Sequence, residues 1–259
     1  MKKLCAVIAV IILIFSADVC CASEYGKKLY RDFSRRLGYE KSDYPFLSDT
    51  EFANFRMVKT SGIGAGKLYR SSSPVSKWSS RDVIADRAAK EAGVKTFINL
   101  ADNNASLRKQ EGFAGSYYST QNIIALGLGM KYQSKTFRDS LARGIKLMAR
   151  SESPFLIHCS LGKDRAGFVC ALIECLMNAK FQEVVSDYLV SFYNYFGVKP
   201  GTREYDFVAA NEITAFLAQA FGVKSEDMTR INLADAAERY FLRIGVSAAE
   251  IEALREKLR

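Results

Sequence analysis

The chain has 259 residues, of which 49% are hydrophobic and 25% charged, with only four prolines. That length and balance allow one sizeable hydrophobic core and exclude a collagen-like, low-complexity or disordered chain. The net charge of +9 favours anionic partners, but no nucleic-acid-binding motif accompanies it, so phosphorylated molecules and anionic lipid remain the classes to consider.

Lys2 and Lys3 give a basic start, an apolar run follows from Leu4 to Phe15, and small residues lead up to Ala22. Residues 1–22 therefore read as a secretory signal peptide cleaved after Ala22. The run is well short of the roughly 20 residues that a membrane-spanning helix needs. The alternative, a lipid anchor on Cys20 or Cys21, is disfavoured by Asp18 and Val19 just before it. The expected location is secreted or periplasmic, with residues 23–259 forming a single domain. Removal of the leader takes Cys5, Cys20 and Cys21 with it and leaves Cys159, Cys170 and Cys175. Cys170 and Cys175 share one helical run, which puts their α-carbons about 7.5 Å apart, beyond disulfide reach. They read as core residues, and the unpaired count points to Cys159 as a reactive thiol.

The first predicted element of the mature chain is a basic amphipathic helix over Glu24–Leu37, containing "KKLYRDFSRR". Its cations read as a solvated face, with contact to an anionic membrane surface as the alternative. "SGIGAGKLY", from Ser61, superficially resembles a nucleotide-binding loop. Its spacing is one residue short, Leu68 stands where a magnesium-binding hydroxyl is needed, and it leads into a strand; it is read as a turn. Next come a strand near Lys67–Ser71, a helix over Arg81–Ala92 and a strand at Thr96–Ala101. Asn103–Gly129 is apolar, aromatic and poor in charge, and is expected to be either a helix pair over a site or core contact with lid character. A strand near Lys131–Gln133, a helix over Thr136–Arg150 and a strand at Phe155–His158 follow. Helices over Ala166–Ala179, Gln182–Phe196, Glu204–Phe221, Ala234–Ile244 and Ala248–Leu258 complete the chain. Ser247 and Glu250 form a capping box for the last of these. Short strands interleaved with helices predict an α/β fold: a central, mostly parallel sheet with helices on both faces and a helical C-terminal portion.

The chemistry concentrates in "PFLIHCSLGKDRAGF", Pro154 to Phe168. A strand ends at His158, the chain's single histidine, and a helix begins a few residues later. The connection must turn sharply, which Gly162 permits. Successive N–H groups in such a turn make an anion-binding nest, and the following helix adds its positive end. Arg165 supplies a planar fork that matches two phosphoryl oxygens. Cys159 lies at the base, in surroundings that favour thiolate. A nucleophile beneath an oxyanion cradle is what covalent phosphoryl transfer needs. The helix behind is apolar nearly all round and is predicted to be buried. His158 reads as structural, since a metal site needs more partners than one histidine; no metal or cofactor is expected.

His-Cys, five residues, then Arg-x-Gly resembles the signature of the cysteine-dependent protein-tyrosine and dual-specificity phosphatases. "GKDR" within the loop resembles the subfamily of secreted bacterial tyrosine phosphatases, which includes relatives active on phosphoinositides. "NFRMV" with "GKLYRSSSP", "VKTFINLA", "VVSDYLVSF" and "AAERYFLRIGVSAAEIEALREKL" extend the resemblance from about Tyr44 to Leu258. The resemblance implies a phosphatase fold with its phosphate loop between strand and helix. Cys159 would be the nucleophile and Arg165 the phosphate-binding arginine. Asp164 would be an acid within the loop, and Lys163 a cation that contacts phosphate or neighbouring substrate anions. Ser160, Leu161, Gly162, Ala166 and Gly167 would complete the substrate-binding segment. The implied substrate is protein phosphotyrosine, with phosphoinositide or inositol phosphate as the alternative.

For the general acid, the carboxylates between Leu100 and Cys159 are Asp102, Glu111, Asp139 and Glu152. Asp139 falls within a helix and Glu152 in the turn before the strand. Asp164 is therefore the first choice, and Asp102, just after a strand at the sheet edge where ligands bind, the second. The sequence departs from the family at Ala166, where a hydroxyl residue is usual. That hydroxyl would stabilise the cysteine sulfur as a leaving group, so its loss implies slow breakdown of phosphocysteine or a pseudophosphatase that only binds phosphorylated ligands. Arg70 reads as a structural ion-pair partner, with a substrate-facing cation as the alternative. Asp187 and Tyr188 read as a local packing pair on their helix.

Overall fold

The computed structural model describes residues 23–77 and 79–259; the expected signal peptide lies outside the described residues. Helix α1 (Glu24–Arg36) is capped by Ser23, whose Oγ accepts from the Gly26 N–H at 3.0 Å. Its apolar stripe, Leu29, Tyr30 and Phe33, is buried. Lys27 pairs with Glu24, Arg35 with Asp32, and Arg36 with Asp32 and Glu204, which leaves these cations of the basic face already matched to carboxylates.

A short helix α2 (Asp49–Phe52) leads to five strands: β1 (Arg56–Met57), β2 (Leu68–Ser71), β3 (Thr96–Asn99), β4 (Asn122–Ala125) and β5 (Phe155–His158). Their order across the sheet is β1-β2-β5-β3-β4. β1 is antiparallel and the other pairings are parallel, so the expected mostly parallel sheet is found. Side chains alternate between two cores, as the period of two requires. Phe155, Ile157 and Ile98 enter the larger cluster, while Leu156 and Phe97 enter the smaller one on the opposite face. α3 (Arg81–Glu91) covers the smaller cluster through Ala89. The larger is covered by α5 (Lys135–Ala149) and α6 (Asp164–Leu176), once the short helix α4 (Asn104–Leu107) has been passed.

The C-terminal portion is helical throughout: α7 (Phe181–Phe196), α8 (Arg203–Val208), a π-helical turn at Ala209–Thr214, α9 (Ala215–Phe221), α10 (Leu233–Arg243) and α11 (Ala248–Leu258). α10 packs on α6 and α11 on α5. The capping box of α11 is formed, with Ser247 Oγ accepting from the Glu250 N–H and Glu250 accepting from the Ser247 N–H. α6 is buried all along its length from Arg165 to Leu176. Its Glu174 carboxyl is pushed well above the usual carboxylate range by burial and by neighbouring Asp187.

Several expectations need correction. Lys131–Gln133 is not a strand. Tyr132 is instead drawn into the core, stacked on Phe168 at 4.5 Å and 11°, and Ser134 behind it caps α5 by accepting from the Phe137 N–H. Asn103–Gly129 is not a helix pair: it contains α4, a 3-10 turn at Tyr118–Thr120 and the edge strand β4, and it makes the expected core contact through Leu107, Tyr118, Ile124, Leu126 and Leu128. The strand expected to reach Ala101 stops at Asn99, because the Asn99 Oδ1 turns back to accept from the N–H groups of Ala101 and Asp102. The expected single helix over Glu204–Phe221 is interrupted by the π turn. The Gly-rich "SGIGAGK" is a turn into β2, as expected.

Candidate active site

β5 is central in the sheet, with His158 in register with Ser71 of β2 and Asn99 of β3. The chain therefore leaves the carboxyl edge of the sheet at Cys159, where open α/β folds hold their ligands. His158 is fully buried, and its Nε2 lies 3.2 Å from the Tyr118 hydroxyl. Burial pulls its imidazole down to about 4, so it is neutral at physiological pH and serves to hold the strand end.

Cys159 to Lys163 form the turn into α6. Gly162 has φ +68°, and a Cβ there would sit 2.1 Å from the Ser71 carbonyl oxygen, so only glycine fits. Gly167, one turn into α6, is equally constrained: a Cβ would meet the Tyr188 ring at 2.6 Å and the Arg70 guanidinium at 2.9 Å.

The loop's carbonyls are tied from behind. Ser160 O accepts from the Ser73 N–H at 3.1 Å. Leu161 O accepts from Asn54 Nδ2 at 3.1 Å and from the Tyr195 hydroxyl at 2.7 Å. Gly162 O and Lys163 O accept from Arg70 Nη2 at 2.9 and 3.2 Å. The backbone N–H groups from Ser160 to Ala166 meet no acceptor among the described residues. With their carbonyls held back and α6 starting at Asp164, these groups form the expected anion nest.

Arg165 closes one side of the nest. Its Nη1 donates to Leu128 O at 2.9 Å and its Nη2 to Ser160 Oγ at 3.1 Å, while the buried Nε has no partner among the described residues. A buried, unpaired guanidinium N–H is costly unless a ligand satisfies it. Cys159 is buried beneath this arrangement. Ala166 is fully buried and brings no hydroxyl to the loop.

Lys163 does not face outward. Its side chain is 1% exposed, its Nζ lies 4.2 Å above the centre of the Phe192 ring, and it pairs with the Asp164 carboxylate through Oδ1. Asp164, the first residue of α6, is 20% exposed, and its Oδ2 makes no hydrogen bond among the described residues. Asp102 has both oxygens engaged: Oδ1 accepts from Gln110 at 3.1 Å and Oδ2 from Asn99 at 3.2 Å.

Sequence reasoning left the supporting layer largely unseen. Asp187 is not a local packing residue: it bonds Arg56 at 2.9 Å and Arg70 at 2.6 Å. Burial raises its carboxyl, but the two guanidinium groups outweigh burial and hold it at about 2. Tyr188 bonds Glu212 instead, at 2.5 Å. Arg70 is a structural cation, fully buried. Cys170 and Cys175 are buried free thiols, and burial pushes both upward.

Against known proteins, the profile of the tyrosine phosphatase family matches residues 51–259. No curated protein matches the chain. Among solved structures, the core catalytic domain of the PP-IP phosphatase SIW14 from S. cerevisiae in complex with citrate is similar at 17% identity and a TM-score of 0.37. That alignment covers 61% of this chain and 85% of that one. A second structure of the Siw14 catalytic core aligns at 16% identity and a TM-score of 0.38, covering 69% and 94%. With most of its length matched by the family profile and a cysteine set under an arginine-closed anion nest, the chain belongs to the tyrosine phosphatase family and is a cysteine-dependent phosphatase.

Proposed function

We propose that this phosphatase is exported as a single domain behind a cleaved leader and hydrolyses phosphotyrosine in proteins. The observation that carries the reading is the vacant hydrogen-bonding capacity around Cys159: the unbonded N–H groups of Ser160 to Ala166 and the unpaired Nε of Arg165. This is the complement of one phosphoryl group approached by a sulfur nucleophile. In the first step the Cys159 thiolate attacks phosphorus, the bond to the phenolic oxygen breaks, and Asp164 gives that oxygen its proton. In the second, water attacks phosphocysteine, the P–S bond breaks, and Asp164 takes up a proton from the water as phosphate and thiolate are released. Arg165 and the nest balance the charge of the transferring group throughout.

Asp164 is preferred over Asp102 because it opens α6 beside the nest with Oδ2 free, whereas both Asp102 oxygens are already bonded to amides. Protein phosphotyrosine is preferred over inositol phosphates because Lys163 points into the protein, with its ammonium over the Phe192 ring. Arg165 is thus the loop's substrate-facing cation, which suits a single phosphate better than several. The leader pattern from Lys2 to Ala22 supports export.

A substrate panel tests the reading. Phosphotyrosine peptides should give a higher kcat/KM than phosphoinositides or soluble inositol phosphates, and Cys159→Ser should abolish turnover of all of them. Higher kcat/KM on the inositol compounds would overturn the substrate assignment. For export, N-terminal sequencing of protein from a native host should begin at Ser23, and an intact Met1 on soluble cytoplasmic protein would refute it.

A further inference from the structure

Arg70 lies outside the signature loop, on the neighbouring strand β2, and is fully buried. Its two terminal nitrogens do different things. Nη1 is held by Asp187 Oδ2 at 2.6 Å, and Nη2 donates to Gly162 O at 2.9 Å and Lys163 O at 3.2 Å. A trans peptide unit is planar, so its N–H points opposite to its C=O. Holding the Gly162 carbonyl therefore fixes the direction of the Lys163 N–H, and holding the Lys163 carbonyl fixes that of the Asp164 N–H. By the same geometry, Tyr195 and Asn54 at Leu161 O fix the Gly162 N–H.

We propose that Arg70 is a positioning residue for the phosphate site, setting the aim of the loop's N–H groups through the carbonyls of Gly162 and Lys163, with Asp187 anchoring its guanidinium. The proposal rests on the reading of the loop as a phosphate cradle. Arg70 touches neither substrate nor sulfur. It holds the nest preformed, so that oxyanion binding does not have to organise the loop. Arginine is required because the guanidinium fork spans a carboxylate on α7 and two carbonyls on the loop. A lysine keeps the charge beside Asp187 but lacks the second arm.

Orthovanadate titration by calorimetry on the full chain, with thermal midpoints and aryl phosphate kinetics, tests this. Wild type should bind vanadate and Arg165→Met should lose it. Arg70→Lys should weaken vanadate binding about 10-fold or more and lower kcat/KM, measured well below a thermal midpoint that also falls because a buried carbonyl loses its donor. Tyr195→Phe, which removes one hydroxyl from the same clamp, should weaken vanadate several-fold. Wild type failing to bind vanadate would overturn the cradle reading itself. Wild-type affinity in both Arg70→Lys and Tyr195→Phe, with Arg165→Met still losing vanadate, would overturn the positioning role alone. If Arg70→Lys does not fold, Tyr195→Phe decides, and unchanged vanadate affinity overturns the proposal.

Discussion

Arg70 and Asp187 meet at 2.6 Å between Nη1 and Oδ2, with the arginine side chain 0% and the aspartate 9% exposed. Asp187 also bonds Arg56, so one carboxylate is shared by two cations behind the loop. Removing the shared partner leaves both uncompensated. Asp187→Asn should destabilise the fold by about 3–5 kcal/mol, read as a lowered denaturant midpoint. A loss below about 1 kcal/mol would mean that Arg56 and Arg70 find other acceptors.

Glu212 makes stability fall as pH rises toward about 8. It lies in the π turn, accepting from the hydroxyls of Tyr30 on α1 and Tyr188 on α7, and burial pushes its carboxyl up to about 8. The folded state then holds this proton more tightly than the unfolded chain, whose glutamate titrates near 4.5. Its contribution is complete below about pH 4.5, declines as pH rises, and is lost above about 8. Glu212→Gln should flatten the fall in thermal midpoint between about pH 6 and about pH 9, a window that spans the folded-state titration. Parallel curves for wild type and variant would contradict the assignment.

Asp164→Asn separates attack on phosphorus from protonation of the leaving group. Phosphotyrosine, with its poor leaving group, should be slowed about 10²–10⁴-fold, while an aryl phosphate with an acidic phenol should be slowed far less. Equal losses on both would move the acid to Asp102.

Ala166 leaves the departing sulfur without the usual hydroxyl. Rapid mixing with an aryl phosphate should give a burst of phenol followed by a slower steady rate, the mark of an accumulating phosphoenzyme. Because Ala166 is fully buried, serine, which adds only one oxygen, is the better repair than threonine. Ala166→Ser should speed the second phase and shrink the burst. Absence of a burst in wild type would show that another group already performs this role.

The loop and its two flanking elements were legible because the signal is local: an apolar run, a turn glycine and the start of an apolar helix lie within fifteen consecutive residues, Pro154 to Phe168. Secondary structure failed where tertiary contacts prevailed. Tyr132 looked like part of a strand but is captured by Phe168, and Asn99 ends β3 with its own side chain. The clamp was not legible because its residues come from three separate places, Asn54 from the turn after α2, Arg70 from β2, and Asp187 and Tyr195 from α7, and spacing along the chain carries no trace of their meeting at one loop. Lys163 was expected to face substrate. Spacing gives its position in the loop but not its direction, and the Phe192 ring with the Asp164 carboxylate supplies an inward site for its ammonium.

Direct capture of the covalent intermediate tests the central claim. The full chain is mixed with excess aryl phosphate, quenched within the burst under alkaline denaturing conditions and digested with trypsin. The peptide Ser151–Lys163 is then weighed and fragmented. One phosphoryl group on the Cys159 sulfur, absent from Cys159→Ser, is the predicted result. An unmodified Cys159 throughout the burst, or a phosphoryl group on a different residue, would contradict it.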